Sequence, residues 1–408
     1  MNTASNFVFA RIPELHFGAG KLAQLPSLLA RLAPRAASSP RLLLVTGSAS
    51  FVASDHYAEL TRALGAAGIV CFHEAVSGEP TPDFVDRVAE RYRGESLAWV
   101  VGIGGGSAMD AGKAVSAMLP QQGSVVDFLE GMETRRHDGR TTPYVAVPTS
   151  SGTGSEATKN AVLSRIGAGG FKSSLRHDAF VPDIALVDPC LMLSCPREVT
   201  VACGLDALTQ LVEAYVSSKA SPLTDALALD GIARFARGFQ RAVDAGAHDI
   251  DARADVAYAA FLSGVVLANA GLGVVHGFAG PLGAYFPIPH GVVCGTLLGA
   301  ATRVTLAELS RRADSADSAE DSAARIALEK YARVGAILGG RHPGDVRADC
   351  ELLVDTLDWL IERNAIARLG RYGVTPDDLP RILAKANGKN SPAQLDRTQM
   401  SAILEARL

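Results

Sequence analysis

No two of the six cysteines stand in a C-x-x-C pair; they are scattered at 71, 190, 195, 203, 294 and 350. That spacing excludes a cysteine-built zinc knot or dithiol redox motif and fits reduced thiols in a cytoplasmic protein. A long basic block is also missing. The 39 basic and 43 acidic residues leave a formal charge of -4, so no nucleic-acid footprint is expected. The nearest approach to a membrane span, "LSGVVLANAGLGVV" at 262–275, is too short and glycine-rich to cross a bilayer. The first residues lack the charged-then-apolar order of a signal peptide.

What is present is 408 residues with 48% hydrophobic content, enough for two cores. The first half alternates short apolar runs with helical stretches. Strands are expected at 41–47, 68–76, 97–106, 143–149 and 183–188, with helices at 56–67, 82–93 and 107–118. Continuous apolar strands separated by helices imply a parallel sheet covered on both faces. From about residue 196 the apolar spacing is helical and Ala-rich, and no further strand is expected. The boundary is placed near 190–196, giving units at 1–192 and 193–408. The serine- and acid-rich stretch 311–325 reads as an exposed connection.

Two loops suit a dinucleotide. "VVGIGGGSAMDAGKAVS" (100–116) runs strand, glycines, helix. Gly104, Gly105 and Gly106 permit close backbone approach to a pyrophosphate, and the helix start offers unpaired N–H groups, with Ser107 as a cap and Asp110 one turn on. A tight turn is the plain alternative. "VPTSSGTGSEATKN" (147–160) adds Thr149, Ser150, Thr153, Ser155 and Asn160 as small polar contacts, and Lys172 is in sequence range of a ribose or phosphate. Open parallel sheets bind ligands at neighbouring strand ends.

Asp206 and Gln210 sit four apart in "VACGLDALTQLVEAYVS" and so share a helix face. His276 and His290 lie in the apolar, glycine-rich "GVVHGFAGPLGAYFPIPHGVVCG". With Asp206 they make an oxygen–nitrogen set suited to a divalent metal.

The motifs "LHFGAGKLAQL", "GGGSAMDAGK", "PTSSGTGSEAT", "ALVDPCLMLSCP", "GLDALTQLVEAYVSSKASPLTDALA", "VHGFAGPLGAYFPIPHG" and "KYARVGAIL" together resemble the iron-containing alcohol dehydrogenase family over nearly the whole chain. The resemblance implies an α/β, Rossmann-like N-terminal domain and an all-α C-terminal domain, the fold shared with dehydroquinate synthase. It implies NAD(P)-dependent interconversion of an alcohol and an aldehyde or ketone, assisted by a divalent metal, zinc or iron, and a homodimer or larger homo-oligomer whose N-terminal "FVFARI" pairs across the interface. The family's metal positions correspond to Asp206, Gln210, His276 and His290, with Asp206, His276 and His290 as the catalytic set. Two positions depart from the family pattern. Gln210 stands where a histidine ligand is usual, and Gly280 where many members carry a proton-relaying histidine.

Three ligands suffice for a catalytic zinc. Gln210 is then a weak ligand or a partner of bound water, and Cys203 is an alternative thiolate donor. A metal-independent or inactive nucleotide-binding protein is the competing reading. A dehydroquinate synthase-like lyase is another, though the basic residues for phosphate substrates are not evident near the histidines. Gly47, where NAD-preferring relatives often carry aspartate after the first strand, points to NADP or to tolerance of it.

Overall fold

The computed structural model describes residues 6–32, 39–167, 169–314 and 319–408. In chain order the first part comprises β1 (Glu14–Phe17), α1 (Leu25–Leu32), β2 (Arg41–Gly47), α2 (Asp55–Ala66), β3 (Val70–Val76), α3 (Pro82–Tyr92), β4 (Trp99–Gly104), α4 (Gly106–Met118), β5 (Tyr144–Pro148), β6 (Asn160–Arg165), β7 (Phe171–Arg176) and β8 (Ile184–Val187). Six strands form one sheet in the order β1-β8-β5-β4-β2-β3, and every neighbouring pair is parallel. Alternation along the strands explains the two-sided cover. Leu42, Leu44, Val101, Ile103, Val145 and Val147 pack on one face, and Leu43, Val45, Val100, Tyr144 and Ala146 on the other. The chain steps from β2 outward to β3 and then back across β2 to β4, so the sheet's switch point lies between β2 and β4.

Three strands were not expected from the sequence. β1 adds an edge beside β8, and β6 and β7 form a separate antiparallel hairpin. The segment 7–12 is not a strand within this chain. Ala10 N–H donates to Asn269, and the Arg11 guanidinium reaches the carbonyls of Val181 and Pro182.

From Arg197 onward the described residues are helical: α5 (Arg197–Tyr215), α6 (Pro222–Ala245), α7 (Ile250–Ala270), α8 (Val274–Tyr285), α9 (His290–Ala313), α10 (Ala319–Leu338), α11 (Val346–Arg363), α12 (Leu379–Lys385) and α13 (Arg397–Glu405). Of the stretch 311–325, residues 315–318 lie outside the described residues; the rest ends α9 and begins α10. Residues 262–275 are not one segment, because α7 and α8 meet there at 99°. Among the described residues, the helix long and apolar enough to span a bilayer is α9, and 72% of its apolar stretch is buried inside the molecule. The largest core joins α5, α6, α7, α9, α10 and α11 and also takes in Ala157, Ala185, Val187 and Met192 from the first part. The two parts are thus seamed by continuous apolar packing.

Candidate metal centre and cofactor cleft

α5 carries Asp206, Gln210 and Glu213 at helical spacing, all buried. His276 is the third residue of α8 and His290 the first of α9. Asp206 Oδ1 lies 3.5 Å from His276 Nε2 and 3.7 Å from His290 Nε2. That oxygen is fully buried and accepts no hydrogen bond, a costly state for a carboxylate unless a cation completes it. Burial raises the Asp206 pKa, but the two imidazoles outweigh it and hold the group below its ordinary value, as a carboxylate. Burial pushes His290 down to about 4, leaving a neutral imidazole. The donor types and the orphaned oxygen fit a divalent metal, with Asp206, His276 and His290 as its holders.

Two residues the sequence reading passed over complete the centre. Glu213 Oε2 lies 2.7 Å from His276 Nδ1, and its Oε1 accepts the Val275 N–H at 2.7 Å. The carboxylate thereby caps the start of α8, which has no side-chain cap of its own, and turns His276 Nε2 toward the cluster. Its signal was present in the sequence: Glu213 follows Asp206 by seven, two turns along one face. The other is Cys294, one turn after His290. Asp206, His276, His290 and Cys294 offer donor atoms all within 4.8 Å of one another. Cys203, weighed as an alternative thiolate donor, is packed against Gly152 near the start of α5 and is not among the four. Gln210 turns its amide oxygen to accept from Ser263 on α7 at 2.6 Å. Burial pushes the Cys294 thiol up to about 12, so without a cation it is neutral.

The glycine loop and the 147–160 loop follow β4 and β5, adjacent in the sheet. They touch. A Cβ on Gly106 would lie 2.6 Å from Thr153, and one on Gly105 would lie 3.3 Å from Ser150. Ser107 does not cap α4; Gly105 occupies the cap position, with no side-chain hydrogen bond. The first turn of α4 therefore keeps its positive end bare. Gly47 ends β2 beside Gly104 at the switch point. Asp110 and Ser155 are spent inside the protein: Ser155 Oγ donates to Asp110, which also accepts from Val162 N–H. Buried Lys113 bonds Ser155, Thr158 and the Asn160 carbonyl, so it fastens the base of the second loop. Thr149 is half-buried at the end of β5, where its N–H donates to Gly104 O. Lys172 is paired with Glu79 and packed on Gly283 of α8, and its charge is felt by His290 and Asp110.

Residues 13–189 match the iron-containing alcohol dehydrogenase family, and residues 200–408 match the C-terminal part of the Fe-containing alcohol dehydrogenase family. The chain belongs to the iron-containing alcohol dehydrogenase family. It is 37% identical to long-chain-alcohol dehydrogenase 1 of Geobacillus thermodenitrificans over 70% of each chain. It is 35% identical to 1,3-propanediol dehydrogenase of Citrobacter freundii over 73% of this chain and 79% of that one. The crystal structure of a 1,3-propanediol oxidoreductase superposes with a TM-score of 0.85 at 28% identity, covering 99% of this chain and all of the other. The Rossmann-like sheet and helical second half are those of this family. As a member, the protein is an oxidoreductase that interconverts an alcohol and its carbonyl partner with a nicotinamide cofactor.

Proposed function

We propose that hydride passes between NAD(P), laid across the ends of β2, β4 and β5, and an alcohol, aldehyde or ketone whose oxygen is held at Asp206, His276 and His290. The observation that carries this reading is the convergence of those three donors around a buried, unpartnered carboxylate oxygen. A divalent cation held there supplies Lewis-acid polarisation of the substrate oxygen. Residues 1–192 then form the cofactor domain and 193–408 the metal and substrate domain.

The contacts proposed for the cofactor are the backbone of Gly104, Gly105 and Gly106, the helix start at Ser107, and the hydroxyls of Thr149, Ser150 and Thr153. Asp110, Ser155 and Asn160 act behind them, holding the loop. Lys172, with Glu79, lines the side of the cleft toward α8. Gly47 leaves open space where an acidic side chain would repel a 2′-phosphate, which favours acceptance of NADP. Gly280 offers no side chain to move a proton, and a Cβ there would meet nothing within 4 Å, leaving room for a bulkier or polar substrate. Homodimer formation through the 7–12 segment is part of the proposal; Phe7, Val8 and Ile12 are exposed on it.

The test is NADPH and NADH oxidation against a panel of aldehydes, with metal content measured on the same preparations. Turnover by the wild type and a loss of at least ~100-fold in Asp206→Asn, with cofactor binding intact, are expected. Cofactor binding with no turnover by a metal-loaded wild type would overturn the proposal.

A further inference from the structure

We infer that Cys294 supplies the fourth protein ligand of the divalent ion, which Gln210 does not provide, and that the resulting set favours zinc over the harder magnesium and manganese. The inference rests on the reading of Asp206, His276 and His290 as a metal centre and adds a ligand to it.

Cys294 Sγ lies 3.6 Å from His276 Nε2 and 3.7 Å from His290 Nε2. An ion bound tetrahedrally, with metal–sulfur near ~2.3 Å and metal–nitrogen near ~2.05 Å, sets those atoms about 3.6 Å apart. The same geometry sets a carboxylate oxygen about 3.3 Å from each nitrogen. The 3.5 and 3.7 Å separations of Asp206 Oδ1 are slightly wider than that. Four of the six donor separations thus stand near those of a tetrahedral set, and all four donor atoms, from α5, α8 and α9, lie within 4.8 Å of one another. The spacing His290-x-x-x-Cys294 puts both side chains on one face of α9.

The site is built rather than incidental. Cys294 is fully buried, Asp206 Oδ1 has no hydrogen-bond partner, and Glu213 fixes the ring of His276 from behind. The amide oxygen at 210 is meanwhile engaged by Ser263. Binding requires the Cys294 thiol to release its proton to solvent as the ion takes the thiolate; no electron moves.

A thiolate changes the metal preference. Sulfur is a soft donor, so zinc is favoured over magnesium and manganese. Four protein donors would fill the corners of a tetrahedral ion, and a substrate oxygen would then need a fifth position, which zinc permits.

Cobalt(II) is the probe, because a thiolate ligand gives it an intense charge-transfer absorption in the near ultraviolet. The band is expected in the wild type and in Cys203→Ser, and is expected to vanish in Cys294→Ser while cobalt still binds. Zinc affinity in Cys294→Ser should fall by at least ~10–100-fold, since even an outer partner of a ligand is worth that much. Circular dichroism establishes that each variant is folded. Cobalt bound by the wild type through Asp206, as judged by its loss in Asp206→Asn, but without the band, overturns the role of Cys294 alone. A wild type that takes up no cobalt or zinc at all overturns the metal centre, and this inference with it.

Discussion

Glu213 is the residue on which two elements depend. Its carboxylate holds His276 through one oxygen and the first turn of α8 through the other. Glu213→Gln keeps the shape but removes the charge that fixes the tautomer. Metal affinity is expected to fall about 10–100-fold, with melting little changed, as read by chelator competition. Glu213→Ala should in addition cost ~1–3 kcal/mol in denaturant unfolding, because the α8 N–H and the His276 N–H both lose their acceptor. A Glu213→Gln variant with unchanged affinity would show that the ring is held by packing alone. A second residue-scale expectation concerns Gly47, which has open space beside it. Gly47→Asp should lower NADP(H) affinity relative to NAD(H) by at least ~10-fold, about 1.4 kcal/mol, measured as paired Kd values. Equal loss for both cofactors would place position 47 away from the 2′-phosphate.

At the scale of elements, the seam between loop 149–158 and α7 brings bare backbone together at Gly154 and Gly264. A Cβ on Gly264 would fall 2.2 Å from the carbonyl oxygen of Gly154, which itself has φ +61°. Backbone cannot rotate aside as a side chain can. Gly264→Ala is expected to cost ~1–3 kcal/mol and to weaken cofactor binding with it, because the displaced loop is the one that meets Gly106. Gly65→Ala in α2, where a Cβ meets nothing within 4 Å, should instead gain ~0.5–1 kcal/mol. A stable Gly264→Ala with normal cofactor affinity would contradict the contact.

The elements themselves were unevenly legible. The expected strands in 41–47, 68–76, 97–106, 143–149 and 183–188 match β2, β3, β4, β5 and β8 within a few residues; β2, β4, β5 and β8 are buried on both faces and read as unbroken apolar runs, while the edge strand β3 was legible from its β-branched and aromatic residues. β1 is four residues at an edge, and β6 and β7 read "NAVLSR" and "FKSSLR", with polar residues on the half-exposed face of a hairpin off the main sheet. Their pairing is decided by tertiary packing that a hydrophobic run does not encode. The same holds for the site. Asp206, His276 and His290 stand out as unusual residues in apolar surroundings. Glu213 and Cys294 are one or two turns further along the same helices, and only the packing of α5, α8 and α9 shows which way those turns face.

At the scale of the molecule, one apolar core runs through both parts, and Glu156 is sealed beside it, 2% exposed and next to Ala157. Burial pushes its pKa from 4.5 up to about 7, against the pull of Lys113. Between those two values the folded protein holds more protons than the unfolded chain, so this group's contribution to stability falls as pH rises through that window. Glu156→Gln removes the titration. Relative to wild type the variant should gain ~1–3 kcal/mol between pH 4.5 and pH 8, measured by urea unfolding at both. A difference that does not change with pH would mean the carboxyl is solvated or fully paired.

Where Gly154 meets Gly264, main chain rests on main chain, and no exchange of larger for smaller groups on the two sides can compensate a change in either. That contact is closed to redesign. Remodelling toward a different alcohol has more freedom along α8, where Gly280 leaves a vacant position and Gly283 packs on Lys172, paired with Glu79.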